Sequence, residues 1–429
     1  MQFKSLTKLC CLALGFGVAA SAFAVNETES TDYELKELVV LSRHNIRAPL
    51  SGNDSELGKI TPHSWHQWSA KSSELTSRGG VLEVMQGQYF RKMLEQQGLF
   101  KEGACLNKDE ILIYANSMQR TVATAEYFQA GLAPTCGLNV IHRFAPSKMD
   151  PVFFPRLTKV NDKFTQQALT EINQMLGDNG LEGINRKLAP SYELLEKVTD
   201  MKDSSLCRDK QSCTLNTDEA TEVKFQLYRE PALSGTLKLA TRITDALILQ
   251  YFEQPDDNIA SFGEKLSEED WEKISYVKDV YGDILFSAPI VAANVAYPLL
   301  NYLHDEINSE VRKFTFLVGH DSNISSVTAA LGVEPYSLPN TIEKKTPIGS
   351  KLVFEKWQDK KSKQLYVAVK MVYQSTEQLR AMQSLDLQNP PQIYSLRLQG
   401  LQADKQGFYK LEDINARFAD AFAAYENIR

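Results

Sequence analysis

The stretch that determines the fold is Arg43-His44-Asn45-Ile46-Arg47-Ala48-Pro49. It directly follows the apolar run Leu38-Val39-Val40-Leu41, which is typical of a buried strand. A histidine between two arginines brings like charges together, and they repel one another unless an anion joins them. Arginine's planar fork matches the oxygens of a phosphoryl group, and the neutral imidazole that nearby arginines favour has a free lone pair. The motif therefore predicts a histidine nucleophile inside a phosphate clamp.

Two further segments place polar groups directly after strand-like runs. Gly319-His320-Asp321-Ser322-Asn323 follows the run 314–318, and Tyr114–Thr121, which contains Arg120, follows the run 111–113. In an open α/β sheet, ligands bind beyond the carboxyl ends of the strands. We therefore expect three segments that are distant in sequence to meet at one edge of a sheet.

A second His-Asp pair, His304-Asp305, differs from the first in its setting. It follows Leu299, Leu300 and Leu303 in a helical pattern, with no strand and no glycine before it. This pair is predicted to lie on a surface helix, outside the site.

The pattern Arg-His-x-x-Arg-x-Pro with a distant His-Asp pair resembles the signature of the histidine acid phosphatases, over nearly the whole chain after residue 24. Asn45 stands where most of that family has glycine. This variant, with the wording of residues 116–125 and 346–351, resembles a bacterial branch that acts on glucose 1-phosphate. The resemblance implies a phosphoglycerate-mutase-like α/β domain with an inserted, mainly helical α domain. It also implies phosphomonoester hydrolysis without a metal or other cofactor.

The resemblance implies roles for six residues of the three segments. His44 is expected to be the nucleophile that forms a phosphohistidine, and Asp321 the general acid for the departing oxygen and then the base for water. For Asp321 to carry a proton, we expect burial and the adjacent phosphate to raise its pKa. The residues expected to hold the phosphoryl oxygens are Arg43, Arg47, Arg120 and His320.

Glu230 and Asn45 are expected to contact the substrate. Glu230, in Arg-Glu-Pro-Ala-Leu-Ser-Gly, lies where an inserted domain would face the cleft, and a carboxylate there would disfavour polyanions. The alternative for Glu230 is an ordinary solvated loop acid.

The first 24 residues have the pattern of an export signal. Lys4 and Lys8 precede an uncharged, mostly apolar stretch that ends in Ala22-Phe23-Ala24, an A-x-A cleavage site. We therefore predict a periplasmic protein that is not attached to the membrane once residues 1–24 are removed. Loss of the two lysines takes the net charge from −7 to −9, which argues against a nucleic-acid partner and leaves a small-molecule phosphomonoester as the expected one.

The length after removal of the signal favours two domains. Strand and helix patterns alternate over 25–155 and 286–429, which are predicted to form the α/β catalytic domain. Residues 156–285 are predicted to form the α-helical insertion. Its clearest helical stripe, with apolar residues every four positions, is Phe164, Ala168, Ile172 and Leu176.

Four cysteines remain after the signal, and an even number in an exported protein indicates two disulfides. Cys105, Cys136, Cys207 and Cys213 allow three connectivities. The pairs Cys105–Cys136 and Cys207–Cys213 are favoured, because near neighbours join most easily and because the resemblance agrees.

Two other functions remain open from the sequence. Within the same class, the chain is also compatible with a phytase that acts on inositol hexakisphosphate. From a different class, a non-catalytic phosphate-ester binding protein would need the clamp but would have no use for a proton donor such as Asp321. The presence of both His44 and Asp321 therefore favours an enzyme.

Overall fold

A mixed seven-stranded sheet forms the centre of the computed structural model, which describes residues 32–208, 210 and 213–428. The export signal predicted for residues 1–24 lies outside these described residues. The strands are β1 (Tyr33–Arg43), β2 (Ile111–Ala115), β3 (Val223–Lys224), β4 (Ala232–Leu233), β5 (Phe314–Gly319), β6 (Lys351–Asp359), β7 (Leu365–Tyr373), β8 (Gln392–Ser395) and β9 (Tyr409–Lys410).

The helices surround this sheet and fill the predicted insertion. They are α1 (Glu56–Lys59), α2 (Ser77–Gln96), α3 (Gln119–Leu132), α4 (Asp162–Leu176), α5 (Ile184–Val198), α6 (Thr236–Glu253), α7 (Asp257–Ala260), α8 (Glu268–Gly282), α9 (Pro289–Ile307), α10 (Asp321–Ala330), α11 (Thr376–Arg380) and α12 (Leu411–Glu426). Short 3₁₀ turns cover Gly180–Gly183 and Met201–Asp203, and a π-helical turn covers Asp283–Ser287.

The order of the strands is β2-β5-β1-β6-β7-β8, with β9 paired to β7. Strands β2, β5 and β1 are parallel, whereas β6, β7 and β8 are antiparallel to their neighbours. The parallel half brings the carboxyl ends of β1, β2 and β5 to one edge. The strands that provide those ends come from the beginning and from the last third of the chain.

Successive residues of β1 alternate between the two faces of the sheet, and both faces are covered by helices. Leu38 and Val40 pack with residues of α2 and α3, and the ring of Phe128 on α3 stacks on Phe316 of β5 at 3.8 Å. Val39 and Leu41 pack on the opposite side against α9, α10 and α12. The sheet is therefore buried on both faces, which explains the continuous apolar run in the sequence of β1.

The inserted helices α4 and α8 begin at residues whose side chains cap them. Asn161 accepts a hydrogen bond from the backbone of Phe164 at the start of α4, and Ser267 forms a capping box with Asp270 at the start of α8. The stripe predicted on α4 is buried, in a third apolar cluster shared with α5, α6 and α8. The α/β fold with an inserted set of helices is confirmed. The boundaries at 155/156 and 285/286 stay a prediction.

Both predicted disulfides are present, Cys105–Cys136 and Cys207–Cys213. In the described ranges no single helix is long and apolar enough to span a membrane. The segments Glu268–Ser287 and Pro289–Ile307 meet that criterion only together, as a pair bent by 78°.

Candidate active site

Three strand ends converge as the sequence predicts. In the parallel ladder Arg43 at the end of β1 pairs with Gly319 at the end of β5, and Ala115 at the end of β2 pairs with Val318. The residues that follow these strands, His44, Asn116 and His320, therefore lie at the same edge of the sheet. The rings of His44 and His320 meet there, with centroids 5.6 Å apart.

His44 is buried and held in one tautomer. Its Nδ1 lies 2.8 Å from the backbone oxygen of Asn45. Because a carbonyl can only accept, Nδ1 carries the proton and Nε2 keeps its lone pair. Burial, followed by the charges of Arg120 and Arg47, places the pKa of His44 well below its ordinary value. The imidazole therefore stays neutral in acid, with Nε2 available for attack.

The backbone around His44 is fixed from two sides. Its N–H donates to Gly319 at 3.1 Å, and its carbonyl accepts from the N–H of Gly349 at 3.2 Å. The N–H of Arg43 donates to Ser350 at 2.9 Å. Gly349 has φ +69°, and a Cβ there would approach Asn45 Nδ2 to 2.6 Å, so glycine is required. Residues 346–351 therefore support the nucleophile loop, the segment 44–49 that carries His44.

Each arginine of the motif is paired with a carboxylate, buried for Glu343 and partly buried for Asp245. Arg43 Nη1 donates to Glu343 at 2.9 Å and to the carbonyl of Thr346 at 2.5 Å. Arg47 Nη2 donates to Asp245 at 3.0 Å. Burial alone would lower the pKa of Arg43, but Glu343 and Asp321 raise it above its ordinary value. Both guanidinium groups are therefore charged and oriented before any ligand arrives.

Arg120 and His320 place two hydrogen-bond donors face to face. Asn116 Oδ1 accepts from the Asp150 N–H at 2.9 Å, so its Nδ2 faces His320 Nε2 and donates to it at 2.8 Å. The proton of neutral His320 then lies on Nδ1, which is 3.4 Å from Arg120 Nη2. Two donors that face each other suit a shared anionic oxygen.

Asp321 begins α10 beside this pair, and 42% of its side chain is exposed. Its Oδ2 lies 3.5 Å from Arg43 Nη2. The expectation of a raised pKa is wrong for the site without ligand. Burial raises the pKa of Asp321, but Arg43 and Lys278 outweigh it and lower it to about 2. A proton on Asp321 therefore depends on a bound phosphate, whose negative charge opposes these cations.

Sequence reasoning missed three residues that complete the site. Asp245 on α6 contacts Arg47 through Oδ2 and Lys278 of α8 through Oδ1, each at 3.0 Å. Lys278 also lies 3.7 Å from Glu343, the partner of Arg43. Burial would raise the pKa of Asp245, but Arg47 and Lys278 lower it below its ordinary value. Positive and negative side chains thus alternate from the insertion to the nucleophile loop.

One of these three had a signal in the sequence. Asp245 is the only charged residue in the apolar stretch 243–252 of α6, where a buried acid needs a cation. Lys278 and Glu343 have no comparable pattern, since their contacts join segments far apart in the chain.

The two residues expected to contact the substrate have different surroundings. Glu230 lies close enough to Arg120 and Asp321 for their charges to act on its carboxyl. Glu230 is exposed to solvent, but partial desolvation by the surrounding protein and the charge of Asp321 raise its pKa to about 6, and Arg120 opposes them. Asn45, in contrast, is fully buried, and its amide is engaged by Glu83 at 2.8 Å and by the N–H of Ile46 at 2.8 Å. The expected substrate contact of Asn45 is therefore wrong, because this side chain supports the loop from behind.

The second His-Asp pair lies on a helix outside the site, as expected. His304 lies inside α9, where its ring packs on Phe418 and Phe422, and the neighbouring Asp305 is exposed. Among the described residues no group of three or more His, Cys, Asp or Glu side chains is arranged to hold a metal ion. The absence of a cofactor stays a prediction.

Comparison with known proteins agrees with this geometry. Two curated glucose-1-phosphatases are similar over nearly their full lengths. The one from Providencia rettgeri is 40% identical over 98% of this chain and 99% of its own, and the one from Salmonella typhimurium is 38% identical over 94% and 96%. The solved apo form of Hafnia alvei phytase matches with a TM-score of 0.84 and 27% identity, over 93% of this chain and 99% of that one.

The family model of the histidine phosphatase superfamily (branch 2) matches residues 34–374, a range that includes both histidines and all three arginines of the site. The chain belongs to this superfamily and is a phosphomonoesterase.

Proposed function

We propose that this enzyme is a periplasmic acid phosphatase that hydrolyses glucose 1-phosphate and similar small sugar phosphates through a phosphohistidine on His44. The observation that supports this most directly is the tautomer of His44, since the hydrogen bond from Nδ1 to Asn45 leaves a lone pair on Nε2. The names of the two relatives with about 40% identity support glucose 1-phosphate as the substrate.

The reaction we propose has two steps. First, His44 Nε2 forms a bond to phosphorus while the ester P–O bond breaks, and the departing oxygen takes a proton from Asp321. Water then attacks the phosphohistidine, Asp321 accepts a proton from that water, and the P–N bond breaks to release phosphate. Arg43, Arg47, Arg120 and the Nδ1–H of His320 support both steps by donating to the phosphoryl oxygens.

A substrate panel tests the preference. We expect a higher kcat/KM for glucose 1-phosphate than for inositol hexakisphosphate, because Arg43 and Arg47 are already matched by carboxylates and Glu230 repels further phosphates. Glu230→Gln should narrow the gap by about three- to tenfold, since one like-charge repulsion is lost. A wild-type preference for inositol hexakisphosphate would make the enzyme a phytase instead.

The preference that this panel measures should depend on pH, in a direction set by the pKa of Glu230. With its pKa raised to about 6, Glu230 is charged above that pH and neutral below it. The discrimination against inositol hexakisphosphate should therefore be strongest above pH 6 and weaken in acid. In Glu230→Gln this part of the pH dependence should disappear, whereas protonation of the substrate affects both proteins equally. An unchanged pH dependence in the variant would remove Glu230 from substrate selection.

Chelation tests the role of the arginines. We expect full activity after treatment with EDTA, because arginine and histidine donors supply the positive charge that metal ions supply in other phosphoryl-transfer sites. The measurement is the rate of nitrophenyl phosphate hydrolysis before and after dialysis against the chelator. Inactivation that zinc or magnesium reverses would contradict the proposed mechanism.

A further inference from the structure

Lys278 occupies an unusual position between two carboxylates. Its Nζ lies 3.0 Å from Asp245 and 3.7 Å from Glu343, and only 13% of its side chain is exposed. Each of these acids also contacts an arginine of the phosphate clamp, Asp245 contacting Arg47 and Glu343 contacting Arg43. Lys278 therefore contacts neither arginine but touches the partner of each.

The charges around the clamp explain why a lysine is needed there. Four cations, Arg43, Arg47, Arg120 and Lys278, are matched by the carboxylates of Asp245, Glu343, Asp321 and, above pH 6, Glu230. Without Lys278 the carboxylates would outnumber the cations, which would disfavour binding of an anion. Asp245 and Glu343 would also lose the cation that they share, and repulsion would then push the two carboxylates apart.

Lys278 lies on α8, whereas Arg43 ends strand β1 and Glu343 lies in the loop before β6. Helix α8 and the π turn after it make two other ion pairs with the same 343–346 segment, Glu272 with Lys344 at 2.6 Å and Asp283 with Lys345. These two pairs join the same elements but do not reach the carboxylates of the clamp. Lys278, Glu272 and Asp283 therefore all connect the same parts of the chain. Of these three, Lys278 is the one that contacts the carboxylates paired with the arginines.

We infer that Lys278 is a positioning residue of the phosphate clamp: by joining Asp245 to Glu343 it holds Arg47 and Arg43 at the spacing that a bound phosphoryl group requires, and its charge keeps the carboxylates of the site from outnumbering the cations. The inference rests on the proposed phosphatase function and adds a residue of the insertion to it. Because Arg43 and Arg47 hold the phosphoryl group in the ground state and in the transition state alike, Lys278 affects binding more than turnover.

The test is Lys278→Met, measured as KM and kcat for glucose 1-phosphate and as inhibition by inorganic phosphate. We expect KM and the phosphate inhibition constant to rise about tenfold, while kcat changes less than about threefold. Lys278→Arg should recover most of the affinity, because a guanidinium can also bridge two carboxylates. Lys344→Met is the matched control, since it removes an ion pair between α8 and the same segment, and both constants should stay at their wild-type values.

Thermal unfolding of every variant separates misfolding from altered binding. If Lys278→Met is not folded, Lys278→Gln, which keeps a hydrogen-bond donor without the charge, takes its place with the same expected rise. Unchanged KM and phosphate inhibition in the folded variant would overturn the inference, as would an equal rise in Lys344→Met. A wild type without phosphatase activity would instead overturn the proposed function, so the two failures are distinguishable.

Discussion

His44→Ala is expected to lower kcat/KM for nitrophenyl phosphate and for glucose 1-phosphate by about 10⁴-fold or more. The variant loses the Nε2 lone pair, and among the described residues only His320 offers a second imidazole at this edge of the sheet. His320 cannot replace it, because its Nε2 accepts from Asn116 and its Nδ1 carries the proton. The loss should be the same for both esters, since the P–N bond is required whatever the leaving group.

The matched control is His304→Ala, which removes a histidine from the other His-Asp pair on α9 and should leave activity within about twofold of wild type. The second measurement is mass spectrometry after an alkaline quench during turnover, which should detect a phosphoryl adduct on the peptide with His44 in the wild type only. Activity of His44→Ala within tenfold of wild type, or an adduct on another residue, would exclude the covalent role of His44.

The convergence of the site was predictable because it depends on local patterns and one rule of α/β sheets. Apolar runs before residues 43, 116 and 320 indicate strands, and parallel strands bring their carboxyl ends to one edge. Nothing more was needed to bring His44 and His320 to the same edge. Helix caps such as that of Ser267 are local in the same sense, since a cap depends on the next few residues alone.

The surroundings of the arginines were not predictable in the same way. Asp245, Lys278 and Glu343 meet across separations of up to about a hundred residues, and a charge in a helix is usually solvated. The same limit explains the wrong expectation for Asp321. From the sequence only burial and phosphate were apparent, and the two cations that lower its pKa, Arg43 and Lys278, become neighbours only in the fold. Asn45 shows the reverse case, a motif residue whose side chain points away from the cleft towards Glu83.

Asp321→Asn is expected to have a penalty that depends on the leaving group. A nitrophenolate departs without a proton, so nitrophenyl phosphate should lose less than about tenfold in kcat/KM. A sugar oxygen needs the proton, so glucose 1-phosphate should lose about 10² to 10⁴-fold. The clamp should survive the change, because Arg43 keeps its shorter contact to Glu343 at 2.9 Å. The phosphate inhibition constant measures this directly and should stay within about threefold.

The pH dependence gives the second half of this test, and its sign follows from the site. The general acid must be protonated, and the pKa of Asp321 is lowered to about 2 before substrate binds, so its protonated fraction grows as the pH falls. For the wild type, the ratio of kcat/KM for glucose 1-phosphate to that for nitrophenyl phosphate should therefore rise on acidification. In Asp321→Asn that rise should vanish, because the carboxyl that protonates the leaving oxygen is gone. The phosphate groups of the two esters still titrate, but they do so in the wild type and in the variant alike. Equal losses for the two esters, or a ratio that still rises in the variant, would assign the proton to another group.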